Sequence, residues 1–146
     1  MINKKQLKDL IDRTLREYEL YSEEASRLVH GTIIQESRSG TYLRQNVPNF
    51  DIHRHALGFG QTEEATFDWL KRVFLGKYPW LINVNFCELE YNLKYSILFV
   101  RFRYLVDSQP IPKTVEGQSK YWKRVYNTEK GAGKAEDYVK NYNEYS

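Results

Sequence analysis

Residues 88–106 read ELEYNLKYSILFVRFRYLV, and along them Leu89, Leu93, Ile97, Val100 and Tyr104 recur at steps of three and four. That spacing places all five on one stripe of an α-helix. Phe99 and Phe102 widen the stripe until little polar surface is left. A helix so apolar belongs at the centre of a domain, with the other elements packed around it. Pro110 and Pro112 end the section, because proline lacks the amide that a continuing helix needs.

Toward the N-terminus, Leu7, Leu10, Ile11, Leu15 and Tyr18 form an amphipathic face from Lys4 to Leu20, with Asn3 positioned as its N-cap. Ser22 precedes Glu23 and Glu24, an N-cap followed by first-turn acids that complement the helix dipole. Ala25, Leu28, Val29, Thr32 and Ile33 continue that second helix to about Ser37. Helical spacing returns from Glu63 to Phe74 and stops near Gly76 and Pro79. Further helices are expected over Thr114 to Tyr126 and Lys134 to Tyr145.

Between Arg38 and Gly60 the periodicity is lost, and Gly40, Pro48, Gly58 and Gly60 punctuate the segment. It reads as a long ordered loop or a short β-excursion, and a loop of that length inside a small domain usually serves a function. With no repeat or low-complexity tract, residues 1–146 read as a single all-α domain.

Charge and composition narrow the function. Lysine and arginine outnumber the acids by 22 to 19, but the charges are interspersed and no basic arm stands out. Nucleic acid is therefore not the expected partner. The basic N-terminus runs into a charged amphipathic pattern, and no stretch approaches the ~20 apolar residues of a membrane span. Neither a signal peptide nor a membrane segment is expected. The single cysteine, Cys87, has no internal disulfide partner and no zinc-like Cys/His spacing around it, so it is expected to be a buried free thiol. His53 and His55 flank Arg54 without a third ligand, which favours loop hydrogen bonding or a cleft rim over metal binding. His30 is expected to be a packing or surface residue of its helix. The Tyr138, Tyr142 and Tyr145 stripe is expected in the core rather than as a sugar platform, or, where exposed, against a neighbouring subunit.

The second helix ends in Gly31-Thr32-Ile33-Ile34-Gln35-Glu36-Ser37, which leaves a glutamate in the last turn beside the long loop. The carbonyl end of a helix disfavours an anion, and burial disfavours it further. Both raise the acid's pKa. A carboxyl that keeps its proton near neutral pH is what cleavage of a glycosidic bond requires.

Three short motifs follow one another along the chain: Glu36-Ser37; Gly58-Phe59-Gly60-Gln61 with Ala65-Thr66; and Tyr126-Asn127 with Gly131 and Gly133. Their order resembles that of the soluble lytic transglycosylases. The chain is more similar still to small phage-encoded proteins of the same fold, through Thr41-Tyr42-Leu43-Arg44-Gln45, Tyr121-Trp122-Lys123-Arg124, Tyr126-Asn127-Thr128 and Gly131-Ala132-Gly133. The resemblance covers nearly the whole chain. It implies a lysozyme-like domain with a glycan cleft, acting on the β-1,4 link between N-acetylmuramic acid and N-acetylglucosamine. Glu36 would be general acid and then base, with Ser37, Gln61, Tyr126 and Asn127 lining the cleft. In that chemistry the sugar's own C6 hydroxyl closes an anhydro ring, so no second carboxylate, metal or cofactor is implied.

The chain departs from the family pattern beside the glutamine, where Asp51-Ile52-His53-Arg54-His55-Ala56 replaces a small-residue approach and Thr62-Glu63-Glu64 replaces a Met-Glu-Pro type sequence. Two functions stay open. One is a peptidoglycan-cleaving enzyme, either an endolysin or a virion enzyme, whose partner is the glycan strand. The other is a virion structural protein of a tail, baseplate or connector, bound to other phage proteins and keeping the fold with little activity. The resemblance places either one in the virion or in the host cytoplasm, with any lytic action on the cell wall.

Overall fold

Asn3 opens the first helix, its Oδ1 accepting from the amides of Lys5 and Gln6 at 3.1 Å each. In the computed structural model, which describes residues 2–146, helix α1 (Lys4–Glu17) buries Leu7, Ile11 and Leu15 completely. Ser22 Oγ accepts from Ala25 N at 3.0 Å and starts α2 (Glu23–Ser37). Lys8 Nζ donates to Asp12 and Ser26, and Ser26 Oγ donates to Asp12, which fastens α1 to α2 through polar atoms alongside the apolar seam.

The central helix is shorter than its apolar pattern predicts. Residues Phe86–Glu90 form a 3₁₀ turn, and α4 spans Leu93–Leu105. The cause is local capping. Asn85 N donates to Glu88 Oε2 at 2.7 Å, closing the turn, and Asn92 Oδ1 accepts from Tyr95 N at 3.2 Å, restarting the helix. Leu89 still reaches the core, from the turn. Ile97, Val100 and Tyr104 are buried as expected, together with Leu98, Phe99 and Phe102, while Leu93 is half-buried. Helix α4 packs against α1, α2 and α3 (Glu64–Phe74) and against the turn preceding it.

A second 3₁₀ turn, Pro79–Asn83, lies between α3 and the Phe86 turn. Helix α5 (Val115–Tyr121) runs directly into a wider π-helical segment, Trp122–Asn127, and α6 (Ala135–Tyr145) closes against α2 and α5. Within the long loop, single antiparallel bridges join Arg44 to Leu57 and Leu57 to Thr62, and no strand forms among the described residues. The protein is thus mostly helical, with the β-excursion reduced to isolated bridges. No helix among the described residues is long and apolar enough to cross a membrane. Cys87 is exposed, contrary to expectation, because the Phe86 turn sends Phe86 and Leu89 inward.

Tyr104 joins α4 to the elements on either side of it in sequence. Its hydroxyl lies 2.7 Å from Thr32 Oγ1, and Thr32 donates its own proton to Leu28 O at 2.8 Å, so Tyr104 is the donor between them. The Tyr104 ring stacks on Tyr121 and tilts against Tyr126, with centroids 5.4 Å away in each case. Tyr104→Phe keeps the stacking and removes one buried hydrogen bond, and is expected to cost about 1 kcal/mol. Tyr104→Ala also opens a cavity and is expected to cost about 3 to 5 kcal/mol. Urea denaturation separates the two; equal stability of wild type and Tyr104→Phe would show that the buried bond contributes nothing.

Candidate active site

Glu36 lies in the last turn of α2, immediately before the chain reverses through Arg38 and Ser39, both in left-handed backbone (φ 51° and 54°). Its side chain is half-buried. Trp122, almost completely buried at the start of the π-helical segment, donates from Nε1 to Glu36 Oε1 at 3.2 Å. Two opposing effects act on the carboxyl. Burial favours the neutral acid, and the indole N–H favours the carboxylate; burial wins and pushes the pKa from 4.5 up to about 7.

The second motif folds into a tight turn. Leu57 and Thr62 exchange both backbone hydrogen bonds at 2.9 Å, and Gln61 N donates to Gly58 O at 3.1 Å. Gly58 has φ +83°, and a Cβ there would collide with Leu89 O and Ser96 Oγ, so glycine is required twice over. Gly60 is needed for a different reason: Tyr126 approaches so closely that a Cβ would strike its hydroxyl. Tyr126 Oη donates to Gly60 O at 2.7 Å. Burial, and secondarily the charge of Glu36, hold the Tyr126 phenol far above its usual pKa, so it stays a neutral donor.

The π-helical segment therefore joins the three motifs, with Trp122 on Glu36 and Tyr126 on Gly60. A wider helical turn is a recurrent feature of functional sites because it re-aims side chains within one helix. A cavity of about 280 Å³ opens here, with Gln61, Tyr126 and Asn127 in its wall beside Arg103 and Thr128. Glu36 is not in that wall. It lies against Trp122, near enough to Tyr126 for its charge to act on the phenol.

The remaining sequence candidates divide. Asn127 Oδ1 accepts from Lys123 Nζ at 2.7 Å, which fixes the amide at the cavity edge. Gln61, in left-handed backbone at φ 48°, turns its Nε2 onto Gly58 O at 3.0 Å and Tyr42 O at 3.3 Å, so its amide nitrogen braces its own turn. Ser37, expected in the cleft, is fully buried; its hydroxyl donates to Ile33 O and accepts from Gly40 N, both at 3.0 Å. It stabilises the chain reversal after Glu36 and does not face a ligand.

His53 pairs with Glu64 Oε1 at 3.1 Å, whereas His55 Nδ1 accepts from Asp51 N at 2.9 Å, so the two rings serve separate partners. No group of three or more metal-ligating side chains comes together among the described residues. His30 is buried near Tyr142 and burial drives its pKa down to about 4, which keeps the ring neutral. The residue that sequence reasoning missed as a site member is Trp122. Its four-residue spacing from Tyr126 was the available signal, because that spacing places both on one face of a helix. No protein-family model, curated protein or solved structure matches this chain.

The raised pKa has a consequence for stability. The folded carboxyl holds its proton up to about pH 7, the unfolded one only to about 4.5, so folding takes up a proton in between. Glu36's contribution to stability is therefore intact below pH 4.5 and declines as pH rises toward 7. Relative to wild type, Glu36→Gln is expected to gain stability across that window, by at most about 3 kcal/mol above neutrality. Denaturation at several pH values, alongside carboxyl NMR titration of Glu36, measures both quantities; a pH-independent difference and a midpoint near 4.5 would refute the burial argument.

Proposed function

We propose that this chain cleaves peptidoglycan, acting as a lytic transglycosylase or muramidase on the bond between N-acetylmuramic acid and N-acetylglucosamine, with Glu36 as general acid and base. The observation that carries this reading is the half-buried Glu36 carboxyl, poised near neutrality and held by Trp122 beside the Tyr126 and Gly60 junction. It agrees with the motif order that resembles the lytic transglycosylases and their small phage-encoded relatives.

The indole constrains which oxygen does the chemistry. Trp122 Nε1 only donates, so the oxygen it contacts, Oε1, acts as acceptor and the transferable proton belongs on Oε2. In the proposed reaction Oε2–H protonates the linking oxygen as the bond from that oxygen to C1 of the muramic acid breaks. The resulting carboxylate then takes the proton of the attacking hydroxyl as its oxygen bonds to C1. With the sugar's C6 hydroxyl the product is an anhydro ring; with water it is a reducing end. Tyr126 and Asn127 are assigned to the cleft wall, and Gln61 to supporting it. No cofactor enters this chemistry.

A second reading, a virion structural protein that retains a lysozyme-like fold, is favoured by one observation. Glu36 stands outside the wall of the neighbouring cavity, and the Gln61 amide nitrogen is spent on its own turn. Turbidity loss on purified peptidoglycan tests both readings. Wild type is expected to clear, and Glu36→Gln to lose ~100- to 10,000-fold in rate with its fold intact. Clearance undiminished in Glu36→Gln would refute the mechanism, and no clearance by wild type would favour the structural protein. Mass analysis of released muropeptides separates the anhydro from the hydrated product.

Trp122→Phe provides a separate check on orientation. It removes the donor that favours the Glu36 carboxylate, so the acid should titrate higher and the alkaline limb of the clearance profile should move to higher pH. An unmoved limb would show that the indole does not set the acid.

A further inference from the structure

Beyond the Tyr126 cavity lies a second, larger one of about 770 Å³, whose wall includes Lys120, Lys123, Arg124, Glu129 and Lys130. Thr128 and Lys130 belong to both walls, so the two cavities adjoin as one groove along the π-helical segment. Arg103 adds a fifth cation from the smaller cavity, and Glu63 and Glu129 are the groove's acids. The walls thus carry a surplus of three positive charges, or two once the Asp107 that pairs with Arg124 is counted.

The cations differ in what holds them. Arg124 is paired with Asp107 at 3.1 Å. Lys123 is fixed by neutral acceptors, Asn127 Oδ1 at 2.7 Å and Gly131 O at 3.0 Å, which position its charge without cancelling it. Lys120 and Lys130 are exposed and have no hydrogen bond or ion pair among the described residues. We infer that this groove binds the acidic substituents of a glycan strand, with Lys120, Lys123 and Lys130 meeting carboxylates carried along the polymer. The inference rests on the reading of Glu36 as a glycan-cleaving acid, and it adds that the polymer is recognised by charge as well as by its sugars.

Three features favour that ligand. Neutral sugar hydroxyls do not call for a row of ammonium groups, whereas carboxylates gain charge-assisted hydrogen bonds from them. The cations are divided between two adjoining cavities, Arg103 in the smaller and Lys120, Lys123 and Arg124 in the larger, which fits charges spaced along a polymer. Single-stranded nucleic acid is bound by stacking bases on accessible aromatic rings. The larger cavity has none in its wall, and in the smaller one Phe99 is buried and Tyr126 is bonded to Gly60.

The test is a binding measurement on the full chain carrying Glu36→Gln, so that the polymer is not consumed. The probes are solubilised glycan strands with intact peptide stems, the same strands freed of their stems by an amidase and then capped as amides at the lactyl carboxylates that hydrolysis exposes, a phosphate-bearing wall polymer, and single-stranded DNA. Stem-bearing strands should bind at least about tenfold more tightly than stem-free strands, the value of one charge-assisted contact. The affinity should fall as salt rises from about 0.05 to about 0.3 M. Replacing Lys120 and Lys130 together by glutamate should abolish the preference for stems, and replacing them by glutamine should give an intermediate loss. Equal binding of stem-bearing and stem-free strands, or a preference that survives in the double glutamate variant, would overturn the inference. So would tighter binding to the phosphate polymer or to DNA than to stem-bearing strands. Stem-dependent binding without clearance by wild type would retain the groove and remove the enzyme, so the two failures are told apart.

Discussion

The hydroxyl of Tyr104, donated to Thr32 deep inside the protein, ties the central helix to α2 at the point where the C-terminal aromatic rings pack. Tyr104 projects from a helix that is buried on nearly all sides, so it cannot shift without disturbing the core. Thr32 is four residues before Glu36 on α2, and the rings packed on Tyr104 belong to Tyr121 and Tyr126. This phenol helps to seat the π-helical segment against the end of α2, together with the bonds from Tyr138 to Leu28 and from Asn141 to Gln35 that hold α6 on α2. The Trp122 to Glu36 and Tyr126 to Gly60 contacts follow from that placement, since Trp122 and Tyr126 stand one helical turn apart.

Burial decides the character of Glu36, and comparison with the other acids makes this plain. Glu17, exposed, and Asp107, half-buried, are bonded to Lys94 and Arg124, and their pKa values are lowered by those bonds. Such surface pairs contribute little to stability, because water screens them. Glu36 has no cation within bonding distance, only an indole N–H, and that single neutral donor does not compensate for lost hydration. A carboxyl left in this position costs stability at neutral pH. The same desolvation keeps Tyr126 protonated, so the junction presents neutral donors around one titratable acid.

Much of the fold was legible because it is written in periodicity. Helices α1, α2, α3 and α6 begin within about one residue of where caps and apolar steps place them, the ordinary uncertainty of a helix end. Where the reading failed, a short-range bond competed with the pattern. Asn85, Glu88 and Asn92 broke one apolar run into a 3₁₀ turn and a helix, and the exposure of Cys87 followed. The site was legible only in part. Glu36 could be placed by its helix and loop, and Tyr126 by its motif, but the bond from Trp122 spans 86 residues and depends on a π-helical widening that periodicity does not announce. The resemblance places Ser37 in the cleft with Glu36, while its hydroxyl is taken up in closing the turn, a bond that the motif does not announce.

Each of the three motifs stands where the chain changes direction. Glu36 precedes the left-handed pair Arg38 and Ser39, Gln61 is itself left-handed beside Gly58, and Tyr126 and Asn127 precede Thr128 at φ 67°. Non-glycine residues in that region cost about 1 to 2 kcal/mol each relative to ordinary backbone. They persist where surrounding structure over-determines them, as the Ser37 and Gln61 side-chain bonds to the turns do here. Reversals of this kind deliver side chains from three distant parts of the sequence to one place while demanding little of the segments between.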